Sequence, residues 1–445
     1  MSAPRTGAGA LPGTPPPSTP LDFDGRPALG WLRRHQRALV LAVLTLAAYS
    51  SALNRTQPLV WAVAALFLAT LLTGIAWPHW LVRRLAVTRS GPLRAAEGAM
   101  VELQVTVHNR GWLPRFMVEL VDRLPFVGAA SGQVPAEVVL GQVAWVPGGG
   151  ERTFSVAVPA EKRGFYRLGP VGLASSFPLG LAEARQGRSG GQDTLTIYPS
   201  LFPIVALPLR GTPTLIHQGA LQLPEGAGSS EFCGLREYRR GDSPRHIHWP
   251  SSARSNELMV REYEPLASAS LCLVLDCHAA SNLGQGRQAS FEVAVRIAAS
   301  IARYGLDNGL PVRLIGLGRN PLDLPAGCGD THFQALLDSL AVVAADGDTP
   351  YAAALERAAR QLTPGETIVS FHSEPALPGP PPASLGALSL LRQDGAHLLA
   401  IRFDPASFTD QTAWGHDALA AGLLELGAQV MPVRRGEDLS ARFNP

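Results

Sequence analysis

Two apolar runs separated by a few residues stand near the N-terminus, and nothing else in the chain restricts its folding as strongly. Ala38 to Leu53 is interrupted only by Thr45, Ser50 and Ser51, and Leu59 to Val82 contains Trp61, Trp77 and Trp80. The second run has 24 residues; at about 1.5 Å each they exceed a hydrocarbon core of about 30 Å, and tryptophans flank it where interfacial anchors belong. The first run, 16 residues, is short for a span. It also fits the apolar region of a signal peptide, although the 37 residues before it are long for a leader's basic region. Arg33, Arg34 and Arg37 precede the first run, Arg83 and Arg84 follow the second, and the connection Asn54 to Gln57 holds only Arg55. The positive-inside rule then puts both ends of the hairpin in the cytoplasm, and cleavage after the first run would leave that orientation unchanged. The alternative is a core hairpin of a soluble protein, against which the span length and the flanking arginines argue.

The rest of the chain falls into segments of different grammar. Residues 1–30 carry Pro15, Pro16 and Pro17 among small residues and cannot repay the entropy of folding, which predicts a disordered Pro/Gly-rich tail before a hairpin over 31–84. With 445 residues the chain has room for about three units at roughly 150 residues each. Thirty-eight Lys+Arg against 36 Asp+Glu leave a net charge of +2, which excludes the strong basic field of a nucleic-acid reader. The four cysteines, Cys233, Cys272, Cys277 and Cys328, form neither C-x-x-C nor a zinc pattern with histidine, so a reducing compartment fits best.

Over 85–200 the apolar residues alternate: Val101, Leu103, Val105 and Val107, then Phe154, Val156 and Val158. Turn signals such as Asn109-Arg110-Gly111 and Gly148-Gly149-Gly150 punctuate further strand candidates at Phe116–Val121, Val138–Val146, Phe165–Leu168 and Thr194–Tyr198. Six or seven short strands predict an immunoglobulin-like β-sandwich. Over 266–445 strands and helices alternate: strands at Leu271–Asp276, Val312–Leu317, Ile368–Phe371, His397–Ile401 and Gln429–Val433. Helices are expected at Gln288–Asn308, Phe333–Val343, Tyr351–Leu362 and His416–Leu426. That order predicts a doubly wound α/β domain with a parallel sheet. The chain is therefore expected to be multidomain, an N-terminal transmembrane hairpin followed by a sandwich and an α/β domain.

Between the two domains, 201–265 carries a charged segment. From Gly226 to Pro265 it holds Arg236, Arg239, Arg240, Arg245, Arg254 and Arg261 against Glu231, Glu237, Asp242, Glu257, Glu262 and Glu264, interleaved with Phe232, Tyr238, Trp249 and Tyr263. Arginine pairs carboxylates at two points and stacks on aromatic faces, so the segment is expected to form an ion-pair network clasping the sandwich to the α/β domain. Burial of Arg254 in such a pair would make Arg254→Ala cost about 3 kcal/mol or more. A partner-binding surface built from the same residues is the alternative.

The order of these residues resembles a known signature. Arg236-Glu237-Tyr238, Gly241-Asp242, Arg245, Ile247, Trp249, Ser252-Ala253-Arg254, then Leu258, Val260 and Arg261-Glu262-Tyr263-Glu264 are similar to the motif of the bacterial "domain of unknown function 58" family. Lys162 to Leu181 is similar to the family's strand region before that motif, and the resemblance reaches from about Trp31 to the C-terminus. It implies a von Willebrand factor A-like C-terminal domain on a membrane anchor in the bacterial inner membrane. It also implies protein partners, a MoxR-type AAA+ ATPase and a transglutaminase-like membrane protein, in assembly or maturation of envelope or enzyme complexes. No catalytic residue is carried over, because the resemblance implies no established activity.

Von Willebrand A domains that bind through a metal present D-x-S-x-S after the first strand, with a threonine and a second aspartate from later loops. Hard cations such as Mg²⁺ demand such oxygen donors. Here Asp276 is retained but His278 and Ala280 occupy both serine positions, leaving Ser281 out of register, Thr349 in a later loop, and Ser373-Glu374 where the second aspartate would stand. The expectation is no metal cofactor, with Asp276, Ser281 and Thr349 as the residues of a weak Mg²⁺ site if one forms. Cys233 lies near Asp242, His246 and His248, a nucleophilic group in composition but without supporting spacing. Patterns of P-loop, dinucleotide-binding and H-E-x-x-H enzymes are absent from the sequence. The resulting expectation is a non-enzymatic scaffold on the cytoplasmic face of the inner membrane, touching lipid and protein but no nucleic acid, with a metal-dependent adhesion module as the rival reading.

Overall fold

The structure, a computed structural model, describes residues 27–54, 57–129, 137–186, 193–207, 232–238, 247–255, 257–263, 270–363, 365–374, 382–409 and 418–444. The first apolar run lies in α1 (Pro27–Asn54) and the second in α2 (Pro58–Val82). α1 begins upstream of its apolar run, inside the stretch expected to be disordered, and the part of it fit to cross a membrane is the 19 residues Gln36–Asn54, beside 25 in α2. Thr45 and Thr70 do not break the helices: each hydroxyl donates to the carbonyl one turn back, Leu41 and Leu66, at 2.7 Å. Both helices are long and apolar enough to cross a membrane, and Leu46, Leu53, Leu59 and Leu66 point away from all other protein.

Ten strands follow: β1 (Leu85–Ser90), β2 (Arg94–Ala96), β3 (Met100–Asn109), β4 (Arg115–Asp122), β5 (Val138–Val146), β6 (Glu151–Pro159), β7 (Gly164–Leu168), β8 (Gly172–Ser175), β9 (Ala184–Gln186) and β10 (Asp193–Tyr198). They assemble as β1-β3-β6, β2-β10-β7 and β5-β4-β8-β9. Period-two alternation does what it should: Val101, Leu103, Val105 and Val107 all turn inward. They meet Val118, Leu120, Phe126, Val146, Leu195 and Ile197 in one sandwich core. Arg89 is buried at its edge, paired to Asp122 and, at 3.1 Å, to Asp193.

The sandwich sits on the end of α2. Gly74, Pro78, Leu81 and Val82 recur at i, i+4, i+7 and i+8, and this face is buried. A Cβ at Gly74 would lie 2.5 Å from Leu181 Cδ1, so glycine is what lets the segment after β8 approach the helix. Arg115 stacks 3.7 Å above the Trp80 ring at the same junction.

Beyond the sandwich come β11 (Phe232–Glu237), α3 (Trp249–Ser255) and β12 (Met259–Tyr263), a hairpin carrying the signature. The α/β domain then runs β13 (Leu271–Leu275), α4 (Ser290–Asp307), β14 (Val312–Leu317), β15 (Pro321–Gly327), α5 (Gly329–Val342), α6 (Tyr351–Ala359), β16 (Thr367–His372), α7 (Ala383–Gln393), β17 (His397–Phe403), α8 (Pro405–Phe408), α9 (Ala418–Glu425), β18 (Gln429–Val433) and α10 (Leu439–Phe443). The sheet order is β15-β14-β13-β16-β17-β18, parallel except for β15. One face packs on α4 and α5, the other on α6, α7 and α9, so the central strands are buried on both sides.

Two elements depart from expectation. β15 carries two prolines and pairs only with β14, an edge where missing N–H donors cost nothing. The helix α7 follows a proline-rich run that reads as loop, yet Ala387, Leu388 and Leu391 bury its inner face.

Among the described residues, a charged clasp between sandwich and α/β domain is made outside the signature segment. Arg163, at the turn into β7, is buried and pairs through Nε with Glu292 of α4 at 2.8 Å. Its Nη1 donates to the carbonyls of Leu340 (2.8 Å) and Val343 (2.9 Å), closing the C-terminal end of α5 where carbonyls lack helical partners. Buried Glu97 pairs with Arg287 at 3.2 Å, and Tyr198 donates to Asp338 at 2.6 Å.

Candidate functional site

In an open α/β sheet the place for a ligand is the crevice at the carboxyl ends of strands where the winding reverses. Here that point lies between β13 and β16, because the chain goes from β13 outward to β14 and then returns to the other side. Asp276 follows β13, and Ser373 and Glu374 follow β16. The crevice is therefore lined by the residues expected to stand at a von Willebrand A-type edge.

Asp276 is buried, and its Oδ1 accepts from the His278 N–H at 3.1 Å while Oδ2 has no hydrogen-bond partner. Burial pushes its carboxyl up to about 6, with Glu374 adding in the same direction; the His278 N–H and the Ser281 hydroxyl pull the other way. Burial also raises Glu374, whose Oε2 accepts from Ser384 Oγ at 3.3 Å. Ser281 is turned toward His278, Oγ to Nδ1 3.4 Å, and its carbonyl accepts from Ser373 Oγ at 2.6 Å. The cavity between Asp276, Asn282, Ser290, Phe291, Phe371 and Ser373 measures about 10 Å³, space for about one water.

These groups do not make an adhesion-type metal site. His278 and Ala280 supply no oxygens where the two serines would, Thr349 is exposed on the loop that bridges to His278 through Gly347, and the crevice is closed by hydrogen bonds among its own residues. Among the described residues no group of three His, Cys, Asp or Glu side chains is placed to hold a metal ion. The orphaned Oδ2 of Asp276 is the one feature that asks for a further partner.

In the signature segment, β11 and β12 pair antiparallel with Arg236 opposite Val260, Glu237 opposite Met259 and Leu235 opposite Arg261; the register shifts at Cys233. Ile247 adds a bridge to Val260. Ser252 is buried and staples α3 to β12: its Oγ accepts from the Met259 N–H at 2.8 Å and donates to the His248 carbonyl at 3.1 Å. One His248 ring nitrogen is engaged by Ser251 Oγ at 2.8 Å. Trp249 is 65% exposed, Leu258 45% and Tyr238 36%, and Arg254 also faces solvent.

This corrects the expectation of a buried Arg254 pair. Among the described residues the clasp is made by Arg163, Glu97, Arg287 and Glu292, of which only Arg163 lay in a stretch the sequence had singled out. Gly241, Asp242, Arg245 and Glu264 lie outside the described residues, as do the side chains of Arg236, Glu237, Arg261, Glu262 and Tyr263. His246 and the side chain of Cys233 lie there too. The described buried thiols are unfit as nucleophiles, since burial pushes both Cys272 and Cys277 up to about 12.

Two apolar helices, a β-sandwich and a doubly wound, largely parallel sheet, with a hairpin between the last two, define the class of protein. Residues 234–366, from within β11 to the residue before β16, match the family model described as "Protein of unknown function DUF58". It is 33% identical over 122 residues to "Uncharacterized protein YeaD" of Bacillus subtilis (strain 168), a match covering 27% of this chain and 29% of that protein. Among solved structures it is similar to a von Willebrand factor type A protein from Catenulispora acidiphila (12% identity, TM-score 0.29, 42% of each chain). It is also similar to the CARDB domain of a Pyrococcus furiosus protein (13% identity, TM-score 0.18, 25% of this chain and 86% of that one). The architecture itself stands on the strand order and register given above.

Proposed function

We propose that the protein is a non-enzymatic adaptor anchored in the bacterial inner membrane with the bulk of the chain in the cytoplasm, where it docks a soluble protein partner. The observation that carries this reading is the exposure of Trp249, Leu258, Tyr238 and Arg254 together on the signature hairpin. Aromatic and arginine side chains are the residues that dominate protein–protein interfaces, and a chain with no docking role has reason to bury a tryptophan. The resemblance to the domain of unknown function 58 family makes a MoxR-type AAA+ ATPase the first candidate, with a transglutaminase-like membrane protein as a second partner. Assembly or maturation of envelope or enzyme complexes is the corresponding role.

The test is a pull-down from detergent extracts with the intact protein and with a Trp249→Ala, Leu258→Ala variant. Recovery of the ATPase by the intact chain and its loss from the variant supports the reading. Equal recovery removes the hairpin from the docking surface, and no recovery by either counts against an ATPase partner. The rival reading, a metal-dependent adhesion module, draws on the orphaned Asp276 Oδ2. Titration calorimetry of the intact protein with Mg²⁺ distinguishes it: saturable heat abolished by Asp276→Ala would favour adhesion, and its absence the adaptor.

A further inference from the structure

The segment linking β8 to β9 is anomalous for a loop in water. Of residues 176–183 only the last, Glu183, is charged, and the segment leaves Phe177 36% and Leu179 44% exposed. Its neighbour explains why. A Cβ at Gly74 of α2 would lie 2.5 Å from Leu181 Cδ1 and 3.3 Å from Leu179 Cδ1, so the segment is laid against the helix at the level of Gly74.

The depth of that level follows from helix geometry. The 25 residues of α2 span about 37 Å at about 1.5 Å each, so about 4 Å project beyond each face of a hydrocarbon core of about 30 Å. Gly74 is eight residues from Val82, or about 12 Å, which places it about 8 Å inside the acyl region. Groups at that depth must be apolar or reach out to the surface, and both occur. Leu179 and Leu181 touch the helix there, and Arg37 of α1 lies beside the segment, its Nη1 3.4 Å from a Cβ position at Gly180, on a side chain long enough to snorkel toward the headgroups. A second feature lies at the end of the same helix. The Arg110 N–H donates to the Arg84 carbonyl at 2.8 Å, which sets the β3–β4 turn and its 80% exposed Trp112 beside Arg83 and Arg84, the natural headgroup level for an indole.

We infer that the sandwich is itself a membrane-inserting unit: the segment 176–181 dips into the acyl–headgroup boundary of the leaflet at the C-terminal end of α2, and its ligand is the phospholipid bilayer. The inference rests on the anchoring reading and deepens it. A rigid domain so seated cannot swing freely on its anchor, and its α/β partner is held at a set height and orientation above the membrane.

The test uses the full chain with Cys233 and Cys328 replaced by serine, labelled with an environment-sensitive fluorophore at one new cysteine and reconstituted in phosphatidylethanolamine/phosphatidylglycerol vesicles. Leu179→Cys probes the segment, Phe177→Cys replaces it where the first variant does not reconstitute, Leu72→Cys reports on α2, and Asp330→Cys is the aqueous reference. The expected result is several-fold weaker quenching by iodide at positions 179 and 72 than at 330, with strong quenching at both by acyl-chain nitroxide lipids. Position 72 in lipid with 179 as open to iodide as 330 overturns insertion and leaves the anchor standing. Both open to iodide overturns the anchor, and insertion with it.

Discussion

Arg163 shows how much one side chain can connect. Its guanidinium, itself buried, joins the sandwich to the first turn of α4 through the largely buried Glu292 and to the last turn of α5 through two carbonyls. Truncation would leave Glu292 and those carbonyls without their partner, so Arg163→Ala should cost about 3–5 kcal/mol of unfolding free energy in detergent. Arg254→Ala, at an exposed position, should change it by less than about 0.5 kcal/mol. Equal losses in denaturant titrations would contradict the clasp. Asp276 carries a pH prediction. Its carboxyl rises from 3.8 to about 6 on folding, so the folded state holds the proton more tightly than the unfolded chain. Stability therefore falls as pH rises from about 4 to about 6, by at most about 3 kcal/mol for two pH units, and Asp276→Asn should remove that part of the slope. Unfolding midpoints of both proteins across pH 4–8 would test this; parallel curves would refute it.

At the scale of elements, glycines in helices separate packing from propensity. In α4, a Cβ at Gly305 would meet Leu271 Cδ1 at 2.5 Å and Val312 Cγ2 at 3.0 Å, whereas at Gly386 of α7 nothing lies within 4 Å. Gly305→Ala should then destabilise by about 1 kcal/mol or more through overpacking of α4 on β13 and β14, and Gly386→Ala should stabilise by about 0.5–1 kcal/mol through helix propensity. The same substitution acquires opposite signs, measured as opposite shifts of the unfolding midpoint. Such contrasts are invisible in sequence. The strands β14 and β18 could be read with their exact ends because Pro311 and Gly318 bracket the first and Gly427 and Arg434-Arg435 stand about the second. The edge strand β15 could not, since Pro-Leu-Asp-Leu-Pro carries turn chemistry and becomes a strand only because β14 offers a free edge.

At the scale of the whole molecule, α2, the sandwich and the α/β domain form a chain of packed junctions. Arg163 with Glu292 and Glu97 with Arg287 are the charged part of the second junction. The intact protein should unfold in detergent calorimetry with the sandwich and α/β domain in one transition, and Arg163→Ala with Arg287→Ala should split it in two, because their coupling then falls below the stability of the individual cores. A single sharp transition in the double variant would show that apolar contact alone couples them. Height control of this kind would suit the adaptor proposed above, whose hairpin would have to reach a partner near the membrane.

What a reader of the residues alone can establish is periodicity: 24 consecutive apolar-rich positions, alternation every two residues and apolar stripes at helical spacing, which depend on neighbours along the chain. The two apolar helices, the sandwich and the α/β order were legible for that reason, whereas the resemblance of the charged segment was read from residue identity and spacing. Which arginine meets which carboxylate depends on distances between segments far apart in the chain, and Arg163 lies 129 positions from Glu292. Composition pointed to Arg254 because charge and aromatics are dense around it, yet density along a chain says nothing of burial. Only packing decided that the clasp forms where the sandwich meets α4 and α5, and that the signature's tryptophan faces outward, because desolvation is a property of the assembled surface.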